Sequence, residues 1–176
     1  LILKIRKSKN CLGLSCKTQE LYLVVFCTRY LDLIYRFEDQ TLYLITMKLL
    51  YISATGYIIY LMRVEKPYCV SYDALGDSFK HWLYLIPGAL VAALIIHRDW
   101  SLADYLWSFS IWLESVAIFP QLHMLTKIKE VENLTGNYVA ALGFYRILYI
   151  FNWIVRYISE SYICWTSVLG GLVQSA

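Results

Sequence analysis

The sequence predicts an all-α membrane protein, a bundle of helices that crosses the bilayer several times. Three observations carry this. Hydrophobic residues make up 59% of the 176, only 16% are charged, and the mean hydropathy is +0.51. An ordinary soluble domain carries roughly 25% charged residues. Apolar runs near the spanning length of about 17–25 residues recur between short polar breaks. No segment alternates with period two for long enough to suggest a barrel.

The elements come in this order. Residues 42–62, 102–126 and 137–158 are long enough to span without further argument. Residues 21–35 and 82–97 are shorter, but charge bounds them on both sides. Residues 1–5 and 162–176 read as the end of one span and the start of another. The expectation is one multi-pass domain over 1–176 with five complete spans and two truncated ones, a fragment incomplete at both ends. No cleavable signal peptide is expected, because the basic cluster follows the short apolar start instead of preceding it.

Charge in the breaks sets the topology. The first break holds Lys4, Arg6, Lys7, Lys9 and Lys17; the third holds Arg63, Lys66 and Lys80; the fifth holds Lys127 and Lys129. The even breaks hold Arg36 with Glu38 and Asp39, Arg98 with Asp99, and Glu160. The excess of Lys and Arg in odd breaks puts them in the cytosol and the N-terminus in the lumen or exterior. Asn133-Leu134-Thr135 is a formal glycosylation sequon, but it falls in the fifth break and is expected to stay unmodified. The five cysteines, Cys11, Cys16, Cys27, Cys69 and Cys164, match no zinc spacing and read as small free thiols.

Polar residues inside apolar runs are the candidates for function. An ionised group at the bilayer centre costs about 2.5–3.5 kcal/mol on insertion scales, so it faces a partner or a water-filled cavity. Arg29 and Asp32, three apart, are expected on one helical face and in partial mutual neutralisation. Glu114 stands in SIWLESVAIF, an otherwise apolar stretch. Tyr145, Tyr149, Asn152 and Arg156 recur at helical spacing as one polar stripe, bordered by Arg146 and Trp153. Trp107, Ser110, Glu114 and Gln121 fall on a second stripe within an arc of about 60°. Two such stripes can face each other across a polar cavity.

Arg29, Arg146 and Arg156 outnumber Asp32 and Glu114, so that cavity calls for an anionic ligand; the arginine fork suits a carboxylate. Trp107 and Trp153 supply walls. Ser110, Gln121 and Asn152 read more readily as helix-to-helix glue. Lys48 is expected to snorkel to the interface, and His81, His97 and His123 to sit at span ends. Asp104 is left open between the two roles. No nucleophile with a base, no metal-ligand cluster and no phosphate-binding loop is present, so neither an enzyme nor a cofactor is expected. A net charge of +3 gives no reason to expect nucleic acid.

Three segments carry a resemblance: TRYLDL at 28–33, LWSFSIWLESVAIFPQL at 106–122 and LGFYRILYIFNWIVRY at 142–157. In order along the chain, with KIRKSKNCLGLSCKTQ before them, they resemble the ER lumen protein-retaining receptors, the KDEL receptors. The resemblance implies seven helices in an architecture similar to SWEET and PQ-loop transporters. It implies pH-dependent binding of the C-terminal KDEL- or HDEL-type tetrapeptide of soluble ER proteins. It also implies their retrieval from Golgi to ER, residence in both membranes with a lumenal N-terminus, and coat proteins of retrograde vesicles as partners through a C-terminal tail.

Carried over residue by residue, the resemblance gives Arg29 the ligand's carboxylate, and Asp32 and Asp104, beside Trp107, its basic residue. Arg156 and Trp153 take an acidic side chain. Glu114 and Tyr145 form a pair that responds to protonation, and Tyr149, Asn152 and Arg146 line the cavity. Asp104 stands where the family more often has Glu, and YRFEDQ at 35–40 is about two residues longer than the family's usual stretch. The competing expectation is a small-solute transporter, since Pro120-Gln121 is similar to the PQ-loop signature. The arginine surplus favours the receptor.

Overall fold

The computed structural model describes residues 1–35, 38, 40–97, 101–127, 133–160 and 165–175. Every regular element among the described residues is helical. Helix α1 (Ile2–Ser8) leads through a tight loop to α2 (Cys16–Arg29), and a single turn, α3 (Asp32–Tyr35), follows. Then come α4 (Leu42–Arg63), the short α5 (Tyr68–Ser71), α6 (His81–Ile95) and α7 (Leu102–Val116). The series closes with α8 (Phe119–Lys127), α9 (Asn133–Glu160) and α10 (Trp165–Ser175).

Most elements fall where the hydropathy places them, and α4 does so almost residue for residue. The run 102–126 does not form one helix: it divides into α7 and α8 around Ala117 and Ile118. Pro120 explains the division. It has no N–H to offer the carbonyl of Val116, and its ring crowds that carbonyl, so a continuous helix is interrupted one turn before it. The start of α2 is set by Ser15, whose side chain accepts from the Thr18 N–H at 3.2 Å and caps the helix.

The core lies in two clusters. Leu21, Tyr22 and Val25 of α2 meet Leu85, Ala89 and Ala93 of α6 and Phe109 and Leu113 of α7. Ala89 and Ala93 are one turn apart and small, which lets α6 lie close against its neighbours. The second cluster joins Ile5, Cys11, Leu14 and Cys16 to Ile58, Leu61 and Met62 near the end of α4 and to Tyr68. Cys11 and Cys16 are thus buried free thiols. Helix α10 packs on α7 through Gly170, where an added Cβ would stand 2.5 Å from Ile111 Cγ2.

By length and composition α4 can cross a membrane, and only 11% of its most apolar 18-residue window is buried within the protein. Among the described residues it is the one helix that meets that test; α6 is apolar but shorter. Helix α9 exposes Phe144, Ile147, Leu148, Phe151, Ile154 and Val155. So much apolar exterior on several helices is consistent with a membrane helix bundle.

The odd breaks meet at one end. Ser15 Oγ lies 3.0 Å from both oxygens of Asp77, Lys17 Nζ donates to Phe79 O at 3.0 Å, and Lys127 Nζ lies 2.6 Å from Ser78 Oγ. The first, third and fifth breaks are therefore bonded into one polar cap. Burial, reinforced by its 2.7 Å bond to Asp77 Oδ2, pushes the Tyr72 hydroxyl in this cap well above its ordinary pKa.

Candidate functional site

At the other end, α2, α3, α4 and α7 enclose a cavity of about 910 Å³. Arg29, Tyr30 and Asp32 line it from the α2–α3 corner, Lys48 from α4, and Ser101, Asp104 and Trp107 from the start of α7. Helix α2 ends at Arg29 with Tyr30 as its cap, and Asp32 opens a new turn. The two residues consequently do not share a helical face, and the expected Arg29–Asp32 neutralisation is replaced by two separate ion pairs.

Arg29 pairs with Glu114. Its Nη1 lies 2.6 Å from Glu114 Oε2, and its Nε donates to Ser110 Oγ at 3.1 Å. Ser110 in turn donates to the Trp107 carbonyl at 2.6 Å. On the far side of the carboxylate, Tyr145 Oη reaches Glu114 Oε1 at 3.5 Å, and the Tyr145 ring meets Tyr149 edge-to-face at 5.7 Å. The chain from Trp107 through Ser110, Arg29 and Glu114 to Tyr145 couples the cavity wall to α9. Donor capacity of the arginine remains: Nη2 is buried and has no hydrogen-bond partner among the described residues.

Asp32 pairs with Lys48, whose Nζ lies 2.5 Å from Asp32 Oδ2 and 2.8 Å from Gln40 Oε1. Asp104 is held at the first turn of α7, where Ser101 Oγ donates to Asp104 Oδ2 at 2.9 Å while accepting from the Asp104 N–H at 3.2 Å. Asp104 therefore both lines the cavity and braces the helix start.

Residues 10–156 match the family described as ER lumen protein retaining receptor. An ER lumen protein-retaining receptor of Plasmodium falciparum is 49% identical over 99% of this chain and 79% of its own length. Receptor B of Arabidopsis thaliana is 43% identical over 99% of this chain and 80% of its own. The Drosophila melanogaster receptor is 42% identical over the same shares. The chain belongs to the ER lumen protein-retaining receptor family. The matched stretch includes every candidate ligand-binding residue from Arg29 to Arg156, and it places this chain among receptors and not enzymes.

Within this family member the geometry sorts the candidates. Arg29, Asp32, Asp104 and Trp107 share one cavity, with Glu114 bonded to Arg29 behind them and Tyr145 bonded to Glu114 in turn. Tyr149 and Asn152 lie on exposed parts of α9, outside the cavity lining. The side chains of Arg146, Trp153 and Arg156 lie outside the described residues, as do residues 36, 37 and 39 of the long YRFEDQ stretch.

Two further expectations are corrected. Gln121 does not continue the stripe of Glu114, because the α7–α8 break ends that helical register. It is fully buried in the polar cap, accepting from the Ser15 N–H at 2.8 Å and donating to the Gly13 carbonyl at 2.7 Å. Lys48 does not snorkel away; it turns into the cavity wall. The signal for Lys48 was its placement: Asp32 and Lys48 stand on opposite sides of the 36–41 break, within two helical turns of it, so a chain that reverses there brings them to the same end of the bundle.

Proposed function

We propose that this chain is a sorting receptor that binds the C-terminal Lys-Asp-Glu-Leu-type tail of soluble ER proteins and returns them from the Golgi to the ER. The observation that carries this is the pairing of opposite chemistries in one cavity. Arg29 keeps a buried, unpartnered Nη2 there, while Asp32 and Asp104 stand beside Trp107. A short peptide with a free carboxylate at one end and a basic residue three positions before it needs an arginine donor and carboxylates in one pocket. Membership of the receptor family supports the same ligand.

Arg29 Nη2 would take the terminal carboxylate, and Asp32 and Asp104 the basic residue, with Trp107 against its stem. Tyr149, Asn152, Arg146, Trp153 and Arg156 would complete the site from α9 around the ligand's acidic residues. Glu114 and Tyr145 would link occupancy to protonation, giving tighter binding in the mildly acidic Golgi. The apolar helix exteriors and the basic polar cap support residence in the ER and Golgi membranes, with seven helices over the whole receptor. The cap would face the cytosol, towards the coat of retrograde vesicles, and the cavity and N-terminus the lumen.

The test is binding of a peptide ending Lys-Asp-Glu-Leu to the full-length protein in detergent. Binding at acidic pH that is lost on amidating the terminus, and lost again at neutral pH, is expected. Equal binding in all three conditions, or none, overturns the proposal and directs the next assay to solute flux in sealed vesicles.

A further inference from the structure

Lys48 lies seven residues into an apolar helix, about 9 Å along its axis at 1.5 Å per residue. An ammonium there would ordinarily bend towards the interface. This one does not: its side chain is 15% exposed, and its Nζ contacts Asp32 and Gln40 and lies 5.7 Å from the centre of the Tyr30 ring. The Asp32 side chain as a whole is 46% exposed, while its Oδ1 is itself buried and has no hydrogen-bond partner among the described residues. The carboxylate thus has acceptor capacity for a second cation.

We propose that Lys48 is the resident counter-ion of Asp32 and sets how strongly the cavity prefers a cation at the first position of the tetrapeptide. The inference rests on the reading of the cavity as a tetrapeptide site. Beside Trp107 the cavity wall carries two carboxylates, Asp32 and Asp104, and one ammonium, Lys48. With Arg29 balanced by its partner Glu114, their sum is one negative charge, the complement of a single ligand cation. Without Lys48 the sum is two. An incoming Lys or His must share Asp32 with an ammonium already bonded to it, which weakens its attraction, whereas a neutral first residue is indifferent to that competition. Lys48 therefore narrows the gap between cationic and neutral first residues and keeps the site from holding basic tails too tightly to release. It is a specificity-determining residue that acts through Asp32.

The test compares peptides ending Lys-Asp-Glu-Leu and Ala-Asp-Glu-Leu on the full-length protein in detergent at acidic pH. Lys48→Met should raise the ratio of their affinities about three- to tenfold, the scale of one screened unit charge at close range. Lys48→Gln should raise it similarly, so the comparison survives if one variant fails to fold. Lys48→Arg, which keeps the charge, should hold the wild-type ratio. In an Asp32→Asn background the effect of Lys48→Met should vanish. A ratio that stays constant or falls in the neutral variants, while the wild type binds, overturns this role and leaves the tetrapeptide site standing. Absence of binding of either peptide to the wild type overturns the site itself and this role with it.

Discussion

Arg29 Nη1 lies 2.6 Å from Glu114 Oε2, so the last residue of α2 is tied to the last turn of α7 by an ion pair whose side chains are each 22% exposed. The pair consumes part of the arginine fork that an anionic ligand would use. It is also the point where α9 joins the cavity, through Tyr145. A change at Glu114 therefore reaches both the donor set of Arg29 and the position of α9.

Glu114→Gln removes the charge and keeps one acceptor oxygen, which can face Arg29 while the amide NH2 turns towards Tyr145. A pair that is mostly removed from water loses stability when one partner is neutralised, here by about 1–2 kcal/mol because a hydrogen bond remains. The expected result is a midpoint a few degrees lower in detergent and a smaller ratio of acidic to neutral peptide affinity. Measuring both on one preparation separates the effects. A wild-type pH ratio in the variant would remove Glu114 from the response to protonation.

Gln121→Leu should damage the fold and spare the ligand. Gln121 satisfies the Ser15 N–H and the Gly13 carbonyl in a region with no access to water. Leucine leaves both groups buried and unpaired, at roughly 1–3 kcal/mol each. Thermal unfolding should show a large drop, while the peptide affinity of the folded fraction stays within about twofold of wild type, since Gln121 lies in the polar cap and not in the cavity wall. Selective loss of affinity at unchanged stability would contradict this placement.

Tyr72→Phe probes the same cap. Tyr72 donates to Asp77 Oδ2 at 2.7 Å, a bond to a charged acceptor, and removing such a bond costs about 1.5–3 kcal/mol. The hydroxyl's pKa is raised in the folded state, first by burial and then by Asp77. With a folded value above the unfolded one, its stabilising contribution is complete below the unfolded value of about 10 and fades as pH rises beyond it. The wild type should accordingly lose stability above about pH 10 more steeply than the phenylalanine variant, as read by denaturation midpoints across that range. Parallel curves would show that Tyr72 does not carry the alkaline loss.

Much of this was legible in the chain. The apolar runs gave the helices because lipid and core alike demand continuous apolar length, and the basic residues of the odd breaks marked those that converge at one end. Arg29, Asp32, Asp104, Trp107 and Glu114 were recognisable as buried or semi-buried polar groups in apolar context. The pairings were not. Periodicity treats 21–35 as one helix and 102–126 as another, yet Tyr30 caps α2 and Pro120 forces the α7–α8 break. Each interruption rotates the residues after it, so Asp32 turned from Arg29 to Lys48, and Gln121 left the stripe of Glu114 for the first loop. Side-chain partners across helices depend on these local terminations, which a uniform 100° wheel omits.

Asp104→Glu bears on the reach of the site. Asp104 accepts from Ser101 Oγ at 2.9 Å and stands at the first turn of α7, where a carboxylate is favoured by the helix dipole. Glutamate preserves the charge at the same position, so the helix start should change by only a few tenths of a kcal/mol. Its extra methylene carries the carboxylate further into the cavity, towards Trp107 and the space between Asp32 and Asp104. The affinity for a peptide beginning with Lys should rise about three- to tenfold, with little change for one beginning with Ala, because only the cation gains from the nearer charge. Asp104→Asn should do the reverse. If both variants bind both peptides as the wild type does, Asp104 is a helix brace alone, and Asp32 reads the first position without it.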